Sequence, residues 1–275
     1  MAHAFSISIA GFRAIVECDS ALLIESIEKY LLPWAPRLAA VQGSAALWLS
    51  VTSTEIPGRF AVRSTDSSVC ASEAWPYLFA VIQQQVDEAV IHHAVDRAAV
   101  HAGVVALNGQ AILLPGTSGS GKTTLVHELI RRGFTYLSDE YALIDSHGRV
   151  HPYPRALMVR DEFGEQHPRL PEELGAQVCR EVLPPGLVLA LSHRSEGDFE
   201  VVPLSHGECL LRLLQNTPQV LAERPEILGP LQALAGAAPC FAGFRGNAGE
   251  AADRILELWE QRGPTQAVQA SEQRV

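Results

Sequence analysis

The sequence predicts an α/β protein with a mixed sheet, preceded by a small α+β region. Three observations carry this. "AILLPGTSGSGKTTLVHELIRRG" reads as an apolar strand, a glycine-rich turn and an amphipathic helix. The strand before it enters through Asn108-Gly109, a strong hairpin signal, so the sheet is not purely parallel. "FTYLSDE" then supplies a further strand that ends in two acids, Asp139 and Glu140.

Bulk properties bound the remaining choices. A chain of 275 residues has room for one large domain or two small ones. With 47% hydrophobic and 19% charged residues it reads as a soluble globular protein. A net charge of -10 argues against a broad nucleic-acid or anionic-membrane surface. No segment is apolar and long enough to span a bilayer, and the amino terminus lacks a basic start followed by an apolar run, so the expected compartment is the cytoplasm. The five cysteines (Cys18, Cys70, Cys179, Cys209 and Cys240) are scattered and form no C-x-x-C, which predicts buried free thiols. Lys29 and Lys122 are the only lysines, and one of them lies in the glycine-rich turn.

In chain order, "FSISIAGFRAIVE" alternates as strands do. "DSALLIESIEKYLLPW" is a helix for which Asp19 or Ser20 serves as cap, and "SAALWLSVT" and "GRFAVRS" read as strands. These elements make up a region of residues 1–72. A long helix over roughly 73–98 follows, with Trp75, Leu78, Phe79, Ile82, Val86 and Val90 at helical spacing. It opens a nucleotide-binding core over residues 73–262. After the acidic pair, "YALIDSHGRVHPYP" suggests a hairpin around Ser146–Gly148. Residues 160–185 are polar and Pro-rich, an excursion beside the site or a surface loop. "GLVLALSH" is a strand, and "HGECLLRLLQN" and "GNAGEAADRILELWEQ" are helices. Residues 263–275 lack periodicity and read as a flexible tail.

The glycine-rich turn fits G-x-x-x-x-G-K-[ST] from Gly116 to Thr123. Glycines let successive backbone N–H groups face one concavity, and the following helix presents its unpaired N–H groups to the same anion. Gly116, Thr117, Ser118, Gly119, Ser120, Gly121, Lys122, Thr123 and Thr124 are therefore the nucleotide-binding candidates. Lys122 reaches toward the terminal phosphates, and the Thr123 hydroxyl suits a magnesium ion. A hydroxyl attacking phosphorus needs a base, and the ion needs carboxylates. Asp139 is the preferred base and Glu140 the preferred metal-associated acid, although the two roles can be exchanged and Asp139 is itself a metal candidate. His101, just before the first hairpin strand, is placed to reach Asp139. Arg155, returning to the pocket mouth, and Arg194 are candidates to balance charge on the transferring phosphoryl; Arg160 and Arg169 are weaker ones. The turn alone leaves open whether the phosphate goes to water, a small molecule or a protein side chain.

"HAGVVALNGQAILLPGTSGSGKTTLVHELIRRGFTYLSDEYALID" resembles the core of HPr kinase/phosphorylase and its relatives, whose fold is similar to the nucleotide core of phosphoenolpyruvate carboxykinase. The resemblance is closer to HPr-kinase-related proteins of bacterial peptide-modification clusters, some of which look like kinases of lasso precursor peptides. "GRVHPYPRAL", "LVLALSHRSEGDFEVVPLSHGECLLRLL" and "AAPCFAGF" carry it further along the chain. It implies a P-loop kinase core with a small α+β region ahead, ATP and Mg2+ as cofactors, and a serine-type hydroxyl on a peptide or small protein as acceptor. It also implies that His101 supports the acidic site and that homo-oligomers occur. Thr123-Thr124 replaces the Ser-Glu that follows the family's loop lysine, Glu140 replaces its second aspartate, and the long signature segment is missing; these departures point to a kinase without phosphorylase activity. A small-molecule kinase and a non-enzymatic nucleotide-dependent binding protein are the alternatives.

Overall fold

The computed structural model describes residues 3–9, 11–38, 45–65, 67–94, 96–117, 119–195, 197–222 and 224–262. The stretch read as a flexible tail, 263–275, lies outside them. The chain begins with β1 (His3–Ile9) and β2 (Phe12–Cys18), which pair antiparallel. Helix α1 (Ala21–Tyr30) follows. Of its two candidate caps, Ser20 is the one used, its Oγ accepting from the Leu23 N–H, while Asp19 accepts from the Ser53 backbone and hydroxyl instead. β3 (Leu47–Ser53), β4 (Phe60–Ser64) and β5 (Ser67–Ser72) complete a five-stranded sheet in the order β1-β2-β3-β4-β5.

Helix α2 (Trp75–His93) packs its apolar stripe against that sheet. It stops short of the expected end because Ala94 caps it and β6 (Ala98–Leu107) begins almost at once. Its buried face is not wholly apolar: Gln83 and Asp87, one turn apart, lie on it among Phe79, Ile82 and Val86. Strand β6 turns at Asn108-Gly109 into β7 (Gln110–Pro115), and positive φ at both turn residues (51° and 74°) gives the twist a two-residue hairpin needs.

Helix α3 (Lys122–Ile130) follows β7, and β8 (Thr135–Ser138), β9 (Tyr141–Ile144) and β10 (Val150–His151) follow α3. β9 and β10 form the hairpin expected around Ser146–Gly148. Residues 160–185 are more ordered than their composition suggests. β11 (Leu157–Arg160) and β12 (Gln166–Arg169) form a separate two-stranded sheet, and a 3-10 turn follows at Pro171–Leu174. The remaining elements are β13 (Pro185–His193), β14 (Glu200–Leu204), α4 (His206–Gln215), α5 (Leu228–Ala237), β15 (Cys240–Arg245) and α6 (Ala248–Gln261). The larger sheet runs β10-β9-β6-β7-β13-β15-β14, with β8 also on β6. Helices α3 and α6 cover one face and α4 and α5 the other, each over its own apolar cluster.

β7, β13 and β15 are mutually parallel, so Pro115, His193 and Arg245 end at one edge of the sheet. That edge is where ligands bind in open α/β sheets. The expectation of five free thiols is corrected: Cys209 on α4 and Cys240 on β15 form a disulfide, their Cα atoms 6.0 Å apart, whereas Cys18, Cys70 and Cys179 are free. Their 31-residue separation gives no sign of this in the sequence. Among the described residues no helix is long and apolar enough to cross a membrane.

Candidate functional site

Residues 116–121 join the buried end of β7 to α3. Gly119 and Gly121 both take left-handed φ of 79°, which side-chain-bearing residues rarely adopt. No side chain caps α3, so its first-turn N–H groups are left for an anion. Lys122 folds back over the turn and donates from Nζ to the carbonyls of Gly116 and Thr117, both at 2.9 Å. Burial pushes its ammonium pKa down, against the pull of Glu140 and Asp139. Ser118 lies outside the described residues; Thr124 lines the cleft on the acid side.

The acidic pair sits across from α3. Asp139 is only 3% exposed. Its Oδ2 accepts from Thr123 Oγ1 at 3.2 Å and its Oδ1 from the Tyr136 hydroxyl at 3.1 Å. Arg155 Nε lies 3.6 Å from the same Oδ1. Burial raises the Asp139 pKa above the ordinary aspartate value; Arg155 opposes the shift and Glu140 adds to it. Glu140 differs. Burial pushes its carboxyl up, but the His101 hydrogen bond together with Arg155 and Lys122 outweighs this and holds it below the usual value. His101 Nε2 lies 2.9 Å from Glu140 Oε1, so the imidazole meets Glu140 and not the expected Asp139. The reason is register: His101 pairs with Tyr141, next to Glu140, on β9.

Arg155 does not stand at the pocket mouth. It is 8% exposed, and Asp87 and Gln83 of α2 hold it by Nη1 and Nη2. Tyr153 also donates to Asp87, at 2.6 Å. Burial pushes Asp87 up to about 6 despite Arg155, whereas Arg155 stays above the ordinary guanidinium value because it faces Asp87, Asp139 and Glu140. Arg155 is a cation among three carboxylates, and at neutral pH it and Asp87 are both charged.

Arg194 is set apart from the acids. Its guanidinium stacks 3.1 Å over the Phe244 ring, on the far side of the glycine-rich turn. Arg160 is exposed and lines the acid cleft, while Arg169 is exposed on β12. Sequence reasoning missed Arg245. It is 4% exposed, and its Nη2 donates to the carbonyls of Ser120 and Gly121 at 2.9 and 3.0 Å. An arginine closing the last parallel strand, just before the Gly246-Asn247 start of α6, was the available signal. Asp87 and Gln83 were missed as well, although two polar residues four apart inside an apolar helical stripe mark a buried network.

The turn is bordered by two clefts. One, of about 840 Å³, opens at the ends of β7, β13 and β15 and reaches Ser192, Phe244, Arg212 and Asn216. The other, of about 600 Å³, holds His101, Thr123, Asp139, Glu140 and Arg155. Among the described residues no three His, Cys, Asp or Glu side chains converge as a closed metal site. Thr123 and the two acids are an all-oxygen set that suits magnesium, which keeps water and phosphate among its ligands and needs only one or two carboxylates.

No protein-family model matches the chain, and no curated protein matches it. Among solved structures, the Hpr(Ser) kinase/phosphatase from Coxiella burnetii is similar at 15% identity over 59% of this chain and 98% of that one, with a TM-score of 0.31. That is at most a distant relationship.

Proposed function

We propose that the protein is a magnesium-dependent kinase that transfers the terminal phosphoryl group of ATP to a serine-type hydroxyl on a peptide or small protein. The observation that carries this reading is the joining of the two clefts by one glycine-rich turn, with a buried carboxylate of raised pKa on the acid side only. The larger cleft suits a nucleoside, with Phe244 as an apolar wall; the acid cleft suits the acceptor.

Asp139 takes the hydroxyl proton. The hydroxyl oxygen bonds to the terminal phosphorus, the bond from that phosphorus to its bridging oxygen breaks, and ADP leaves. A raised pKa makes Asp139 a better base than an ordinary aspartate near neutral pH. Tyr136 and Arg155 fix its orientation. Lys122 and the first-turn N–H groups of α3 stabilise charge on the phosphates. Thr123 gives its one proton to Asp139, which leaves its lone pairs for a cation, and Glu140, kept ionised by His101, supplies a second oxygen ligand. Magnesium, when bound, neutralises phosphate charge.

A small-molecule acceptor calls for a narrow closed pocket, whereas the acid cleft is bordered by the exposed residues Arg160 and Gln166. The test is incubation with magnesium, γ-labelled ATP and either serine-containing peptides or a metabolite pool. Label on peptides is the expected result. Label on metabolites alone contradicts the acceptor assignment, and bound ATP with no labelled acceptor contradicts the kinase reading.

A further inference from the structure

Among the described residues no strand covers the outer edge of β11 in the β11–β12 hairpin. Its register sets Leu157 opposite Arg169, Met158 opposite Pro168, Val159 opposite His167 and Arg160 opposite Gln166. At the turn, the Asp161 N–H donates to the Glu165 carbonyl at 2.9 Å, which makes 161/165 a hydrogen-bonded pair. Antiparallel pairs alternate, so 159/167 and 157/169 are hydrogen-bonded and 158/168 and 160/166 are not. Pro168, with no N–H, falls where none is needed. The N–H and C=O groups of Met158 and Arg160 therefore point away from β12. Among the described residues these four groups have no hydrogen-bond partner in any backbone pairing. Just upstream the backbone is held: the Gln83 amide donates to the Ala156 carbonyl.

The open edge borders the acid cleft. Met158, Val159 and Arg160 line it together with Asp139 and Thr123, while β12 lies on the side of α2. Two donors and two acceptors at alternate residues match the repeat of an extended polypeptide, and exposed edges of this kind recruit strands. A small metabolite has no such repeat. The charges also select. Arg155 is matched by Asp87 and Lys122 is turned into the glycine-rich turn, so Arg160 is the exposed charged side chain among the residues that line the cleft, although the whole protein carries -10. A neutral or acidic peptide complements that lining.

We propose that the acceptor is an extended, neutral-to-acidic peptide that pairs as a strand with the Met158–Arg160 edge and so brings its serine hydroxyl to Asp139. This rests on the kinase reading above and specifies its substrate class. The test uses heptapeptides with one central serine and varied neutral or acidic flanks, γ-labelled ATP and magnesium. The best substrate is then N-methylated at each peptide bond in turn. Strand pairing predicts losses of at least tenfold in kcat/KM at alternate bonds along one flank and little change at the bonds between. Arg160→Pro removes an outward N–H and leaves the backbone ladder of the hairpin in place, but it also removes the side-chain bond to the Gly164 carbonyl and the charge, so Arg160→Ala is the control. A comparable loss of peptide transfer is expected for Arg160→Pro beyond that of Arg160→Ala, with ATP affinity by calorimetry reporting whether the variant is folded. If it is not, the N-methyl scan still decides. A response with no alternation overturns strand pairing while peptide phosphorylation stands. Label confined to a metabolite pool overturns it while the kinase reading stands, and no labelled acceptor despite bound ATP overturns both.

Discussion

In the proposed transfer Asp139 is the base, and its surroundings predict a pH dependence. It serves as a base only when ionised. Burial raises its pKa, so transfer is lost as pH falls, along an acid limb placed above the ordinary aspartate value of 3.8. Tyr136 donates to the carboxylate and favours the ionised form, so Tyr136→Phe should move the limb to still higher pH. A kcat–pH profile checks both; an unmoved limb would mean that Tyr136 does not tune the base. The pairing of His101 with Glu140 was legible only as proximity to the acids. Which acid it meets depends on the β6–β9 register, set by contacts some forty residues apart in the chain, and no local pattern encodes it.

At the level of elements, the strand, turn and helix around Lys122 were readable because their signals are local: an apolar run, glycines and a Lys-Thr pair. The same holds for the Asn108-Gly109 hairpin. The hold that Arg245 has on this turn was not, since it comes from a strand more than a hundred residues later. Its physical effect follows from peptide planarity. Bonding the Ser120 and Gly121 carbonyls outward turns the N–H groups of Gly121 and Lys122 the opposite way, toward the phosphate concavity. Arg245→Ala should therefore weaken ATP binding by about tenfold, or about 1.4 kcal/mol, by calorimetry. Unchanged affinity would show that the turn holds its shape unaided. The β11–β12 hairpin was hidden by composition: Pro168 and Gly164 argue for a loop, yet one lies at a non-hydrogen-bonded pair and the other in the turn, where each is tolerated.

Across the whole molecule, α2 is more than a connection between the two sheets. Through Asp87 it holds Arg155, and Arg155 reaches Asp139, so the packing of the amino-terminal sheet on α2 bears on the geometry of the site. The helix was legible from its apolar spacing. Its part in the site was not, because Asp87 and Arg155 are 68 residues apart. Asp87→Asn should leave a buried arginine short of a partner and cost on the order of 3–5 kcal/mol of stability, read by chemical denaturation. In the folded variant, an Arg155 released from Asp87 interacts more strongly with Asp139 and should shift the acid limb to lower pH; a limb displaced upward would contradict the coupling.

The most direct test of the central claim, that the glycine-rich turn and the buried carboxylate form one phosphoryl-transfer site, compares ATP affinity with peptide labelling in Asp139→Asn and Lys122→Ala. Asp139→Asn should retain ATP affinity and lose transfer by about 10²–10⁴-fold, whereas Lys122→Ala should weaken both. Full turnover in Asp139→Asn would contradict the account.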